Sequence, residues 1–92
     1  MCLNEMFYEK LSEISQVSGI DKDSILSKKR EIDIVDARHI LIKVMSNYGM
    51  SKLCISRMMG LSVRNVQYII TNFDSRIEYS KWARKIYEIV MK

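Results

Sequence analysis

The chain contains no proline and only three glycines in 92 residues. With so few chain breakers, long helices can run uninterrupted, and a sheet would lack the usual residues for its tight turns. Cysteine is equally sparse. Cys2 and Cys54 form neither a metal-ligand spacing nor a disulfide framework. The lone histidine, His39, has no ligand-type partner at a useful spacing, so it reads as a partly exposed helix residue. No nucleophile–base pattern is present, so the expectation is a protein without enzymatic activity and without a metal or other cofactor. No stretch approaches the roughly 18 to 20 apolar residues of a membrane span. Residues 1–15 lack the basic start and continuous apolar run of a secretory signal. The expected location is therefore cytoplasmic, with no membrane partner. Without repeats, low-complexity tracts or a long linker, residues 1–92 read as one domain.

Hydrophobic residues make up 48% of the chain and charged residues 28%, enough apolar surface for a folded core rather than a disordered segment. The net charge of +4 is unevenly spread. Residues 1–26 carry Lys10 and Lys22 against Glu5, Glu9, Glu13, Asp21 and Asp23, a net of −3. Residues 27–92 carry 13 Lys and Arg against 6 Asp and Glu, a net of +7. A basic body behind a mildly acidic start points to a surface that meets a polyanion. A solvated basic face with no specific partner would have the same composition.

Apolar periodicity predicts an all-α bundle of about five to six helices. Met6, Phe7, Leu11, Ile14 and Val17 fall on one stripe of a helix from Asn4 to Val17, capped by Asn4 and stopped at Gly19. A short turn of helix is expected from Asp21, its cap, to Leu26. Ser27, Lys28, Lys29 and Arg30 form a basic loop without apolar interruption. A spine helix follows from about Asp33 to Tyr48, with Ile34, Ala37, Leu41, Val44, Met45 and Tyr48 inward. Asp33 and Asp36 at its start complement the helix dipole. Ser51 starts a fourth helix that stops at Gly60, and Ser62 caps a fifth that runs to Asn72 or Phe73. A last helix, Tyr79 to Met91, closes the core with Trp82, Ile86, Tyr87, Val90 and Met91. The seven methionines and the group Tyr79, Trp82 and Tyr87 are expected to fill gaps in the core.

The strongest local signal is Lys52 to Ile70, KLCISRMMGLSVRNVQYII. A helix-turn-helix needs a small residue at the crossing, a residue free to take positive φ in the turn, and apolar residues that lock the two helices. Ser56 and Gly60 occupy the first two kinds of position. Ile55, Met59, Leu61, Val66 and Ile69 occupy the apolar ones. Two ordinary helices joined by a glycine would satisfy part of the same pattern. As a DNA-reading motif, the helix after Ser62 turns Val66, Ile69, Ile70 and Phe73 inward. It leaves Arg64, Tyr68, Thr71 and Ser75 outward, with Gln67 on the flank. Arg64 suits the paired acceptors of guanine and Gln67 those of adenine, while Tyr68 and Thr71 are placed for a base edge or phosphate. Ser62 and the free N–H groups of the helix start suit a phosphate oxygen.

Residues from about Leu11 to Ile70 also resemble the C-terminal DNA-binding domain of the bacterial replication initiator DnaA, a helix-turn-helix domain of the TrpR-like class. The resemblance is carried by the order of parts: an opening helix, Ser27-Lys28-Lys29-Arg30, then Ile34-Val35-Asp36-Ala37-Arg38 opening a long helix. Ser51, Ile55, Arg57 and Gly60 follow in the family's spacing. It implies that Lys28, Lys29 and Arg30 touch the DNA backbone, that Arg38 lies near the same phosphates, and that Ser62 to Tyr68, Asn65 included, begin the recognition helix. The family signature Gly-Arg-Asp-His, a hydroxyl pair and Val is not reproduced. Gly60 is followed by Leu61-Ser62-Val63-Arg64-Asn65-Val66, one residue shorter, so the family's base-reading residues have no counterparts here. A Gly-rich phosphate loop ending in Lys-Ser or Lys-Thr is also absent from the chain, so no ATPase activity comes with the resemblance.

The expected partner is double-stranded DNA, in replication initiation or transcriptional regulation. The competing expectation is a helical interaction module that keeps the fold without specific DNA binding. Its C-terminal helix would then be the surface for a protein partner or self-association.

Overall fold

The computed structural model describes residues 3–91, so Cys2 lies outside the described residues. Six helices occupy this span: α1 (Leu3–Ser18), α2 (Lys22–Ile25), α3 (Ile32–Asn47), α4 (Lys52–Met59), α5 (Val63–Glu78) and α6 (Lys81–Met91). The fold class is all-α, as the apolar periodicity predicts. Helices of 16 residues are about 24 Å long, and the molecule measures 28 × 25 × 24 Å. Each of α1, α3 and α5 therefore crosses its full width.

α3 packs against all five other helices, which makes it the spine expected of its dense apolar pattern. Ile34, Ala37, Leu41, Val44 and Met45 are buried as expected, and Ile40 and Ile42 join them. One buried cluster draws side chains from every helix: Phe7 and Leu11 from α1, Ile25 from α2, Ile55 and Met59 from α4, Val66 and Phe73 from α5, Ile86 and Val90 from α6. The acidic N-terminal helix is tied to the end of α6 by a buried lysine. Lys10 Nζ donates to the Val90 carbonyl at 2.8 Å and lies 3.3 Å from Glu13 Oε2. Charge-assisted bonds to a helix's last carbonyls satisfy acceptors that have no intrahelical partner.

The ends of α4 and α5 follow the local chemistry read from the sequence. Ser51 Oγ accepts from Cys54 N, and Ser62 Oγ accepts from Asn65 N, both at 3.1 Å. Gly60 takes φ 68° and ψ 33°, a left-handed conformation in which a side chain is strained. This closes α4 with Leu61 N donating to the Ser56 carbonyl at 2.9 Å.

Other boundaries and faces differ from expectation. Asn4 lies inside α1 rather than capping it. Asp21 holds the cap position of α2, but its carboxylate makes no capping bond. Val17 and Tyr48, at the C-terminal ends of α1 and α3, are exposed rather than inward. α5 continues five residues past Phe73 to Glu78. Asp74 to Glu78 contain no breaker, and Ile77, four residues on from Phe73, packs against the core. The last helix begins at Lys81 rather than Tyr79, with Ser80 Oγ accepting from Ala83 N at 3.1 Å. Ala83, three residues before Ile86, takes the inward position. Trp82 is left on the outer side and Tyr79 stands 90% exposed, so neither fills the core. Met45, Met50 and Met59 do fill it.

Candidate nucleic-acid interface

α4 and α5 are joined by three residues, Gly60 to Ser62, and their inner faces are locked together. Ile55, Ser56 and Met59 of α4 meet the core, as do Val66, Ile69 and Phe73 of α5, with Leu61 and Ile70 packed partly against it. Ser56 is buried and its hydroxyl donates to the Leu53 carbonyl at 2.7 Å, so the small side chain leaves no unsatisfied group.

The outer face of α5 carries the side chains expected of it. Ser62, Arg64, Asn65, Gln67, Tyr68, Thr71 and Ser75 are all exposed. Gln67 Nε2 donates to Thr71 Oγ1 at 2.7 Å, one turn along the helix. Asn72 Nδ2 donates to the Tyr68 carbonyl at 2.9 Å. Arg64 and the Asn65 side chain make no hydrogen bond or ion pair among the described residues, and the first turn of α5 holds no acid. At about 100° per residue, Asp74 and Glu78 fall on the Gln67 flank in the helix's second half. A phosphate backbone is therefore tolerated along the first two turns of α5 and repelled further on that flank.

The basic loop is exposed at Lys28, Lys29 and Arg30, and it is held rather than loose. Arg38, on α3, donates from Nε to the Ile25 carbonyl and from Nη2 to the Lys29 carbonyl, both at 3.0 Å. Ser27 Oγ donates to the Ser24 carbonyl at 2.6 Å and accepts from Lys29 N at 3.2 Å. Burial lowers the Arg38 pKa from its ordinary value. The side chain implied to sit near phosphates thus reaches the loop from behind, and it pairs with carbonyls rather than with a carboxylate. Arg38 and Lys29 are brought together. No hydrogen bond or ion pair links the loop to Arg64 or Asn65 among the described residues.

Two features were not visible in the sequence. Asp36 is buried and pairs with Arg76 of α5, Oδ1 to Nε at 2.6 Å, so it is more than a dipole partner at the start of α3. The residues lie 40 positions apart, and no local pattern joins them. Beside this pair lies an open cleft of about 340 Å³ between α3 and α5, running from Tyr68 to the end of α5. It is lined by His39, Tyr68, Ile69, Asn72, Ser75, Arg76 and Tyr79. Burial, then the charges of Arg76 and Arg38, hold the His39 pKa down at about 4, leaving the imidazole neutral near pH 7. No cluster of three or more His, Cys, Asp or Glu among the described residues could hold a metal ion. No helix among them is long and apolar enough to cross a membrane. No protein-family model matches the chain, and neither a curated protein nor a solved structure matches it.

Proposed function

We propose that this protein binds double-stranded DNA, with α4 and α5 acting as a helix-turn-helix and the Lys28–Arg30 loop gripping the backbone. The observation that carries the reading is the uncommitted outer face at the start of α5. Arg64, Asn65, Gln67, Tyr68 and Thr71 stand exposed on a helix fixed by the Ser62 cap and the left-handed turn at Gly60. A rigid helix with a cation near its N-terminus and no acid in its first turn suits the major groove. Arg64 reads a base edge, Gln67 and Tyr68 assist along the groove, and Ser62 with the helix N-terminus holds a phosphate.

The loop supplies affinity rather than sequence choice. Its three cations release counterions from the duplex, and Arg38 fixes where those cations stand. The resemblance to the initiator's DNA-binding domain supports the same division of labour, because Ser27 to Arg30 and Ile34 to Arg38 carry it. A role in replication initiation or transcriptional regulation, in the cytoplasm of a bacterium, belongs to this proposal.

Fluorescence anisotropy against mixed-sequence duplex DNA at two salt concentrations tests it. Affinity should fall by roughly one power of salt concentration per phosphate contact. Lys29→Ala should weaken binding to every duplex alike and reduce the salt slope by about one. Arg64→Ala should instead change which duplex is preferred, by about 1–3 kcal/mol at the base it reads. Failure to bind any duplex at low salt would leave the interaction-module reading, for which the outward Trp82 and Ile89 of α6 are the available apolar surface.

A further inference from the structure

The second half of α5 is a poor fit to a duplex groove, since Asp74 and Glu78 line one flank of it. It nonetheless carries most of the cleft, which begins at Tyr68 and Ile69. Tyr68 and Tyr79 stand at the cleft three turns apart on one side of α5, 65% and 90% exposed, with Ile69 beside them. The polar groups there are largely free. Neither nitrogen of His39 and neither Nη of Arg76 makes a hydrogen bond among the described residues, while Arg76 Nε is held by Asp36.

Cations follow Tyr79 closely in the chain. Lys81, Arg84 and Lys85 occupy the first five residues of α6, the end at which a helix dipole disfavours positive charge, with no acid in that turn to compensate. Arg84 Nη2 reaches back to the Glu78 carbonyl at 3.4 Å, which brings its guanidinium beside Tyr79. No carboxylate lines the cleft itself.

Exposed tyrosines around an apolar cleft, with unspent donors inside and cations outside, match the chemistry of an unstacked nucleotide. Its base offers a ring face and a hydrogen-bonding edge, and its phosphates seek cations. A paired, stacked base hides that ring face, so a duplex does not present the same ligand. We infer that the cleft between His39 and Tyr79 is a binding site for an unpaired base of single-stranded DNA, with Lys81, Arg84 and Lys85 following its phosphates. The inference rests on the nucleic-acid reading above and extends it: duplex at the start of α5 and single strand toward its end, with Tyr68 at the border of the two.

The test measures two ligands side by side. A labelled oligothymidylate of about ten nucleotides and a labelled mixed duplex are titrated with the wild-type chain, Tyr79→Ala and Tyr79→Phe. Because Tyr79 is almost fully exposed, neither substitution disturbs the core. Tyr79→Ala should weaken oligothymidylate binding on the order of tenfold, the loss expected of one base–aromatic stack. Tyr79→Phe should keep it, and duplex affinity should stay unchanged in both variants. Equal oligothymidylate affinity in the wild type and Tyr79→Ala overturns the site. Wild-type binding to duplex but not to oligothymidylate also overturns it, while leaving the duplex reading standing. Binding to oligothymidylate alone, lost in Tyr79→Ala, supports the cleft and removes the duplex reading.

Discussion

Arg38 illustrates how a cation can serve a proposed polyanion site without touching the ligand. Two of its N–H groups are spent on the carbonyls of Ile25 and Lys29, which come just before and within the basic run. Hydrogen bonds from a charged donor contribute more than neutral ones, about 1.5–3 kcal/mol each at most. Part of that is lost here to solvent. Arg38→Ala should therefore cost about 1–2 kcal/mol of folding stability, read by urea denaturation. It should also weaken duplex binding with less change in salt slope than Lys29→Ala, because the loop cations remain but no longer stand in fixed positions. Arg38→Lys should recover little of either effect, since an ammonium lacks the planar fork that meets two carbonyls at once. If Arg38→Lys binds and folds like the wild type, the side chain is not a clamp on this loop.

The boundaries around the α4–α5 turn were legible in the sequence, whereas the Ser80 cap of α6 was not, and Asn4 and Asp21 do not cap as their residue types suggest. Ser51, Gly60 and Ser62 mark the ends of α4 and the start of α5, because capping and positive φ are local properties. The far end of α5 was not readable in this way. Nothing after Phe73 breaks a helix, and what extends the element is Ile77 against the core and Arg76 on Asp36. The same division holds for the site. Exposure of Arg64, Gln67, Tyr68 and Thr71 follows from a 100° rotation per residue. The Asp36–Arg76 pair, the Arg38 clamp and the cleft join residues brought together only by the tertiary fold. Gly60 offers a clean check at this scale. A Cβ there meets no neighbour within 4 Å, so Gly60→Ala carries backbone strain alone. A loss of about 1–2 kcal/mol is expected, with Gly60→Asn milder because asparagine tolerates the left-handed region. A neutral Gly60→Ala in thermal denaturation would mean that the turn relaxes out of that conformation.

On the scale of the whole molecule, α3 touches every other helix, so a titration where it faces α5 bears on the stability of the entire bundle. His39 is that group. Its folded pKa of about 4 lies below the ordinary 6.5, chiefly through burial and then through Arg76 and Arg38. Between these values the unfolded chain holds a proton on His39 and the folded chain does not. The unfolded state therefore binds more protons in this window, and stability rises with pH across it. The contribution is fully present above about pH 6.5 and is lost as pH falls toward 4. Going from pH 7 to pH 5 should cost about 1 kcal/mol through this residue, allowing for its partial contact with solvent. His39→Gln, neutral at both pH values, should lack that part of the loss. Paired urea titrations of the two chains at pH 7 and pH 5 measure the difference directly. Equal losses in both would show that the protonated imidazole finds solvent without opening the packing of α3 on α5, and the cleft would then be a looser structure than the burial of His39 indicates.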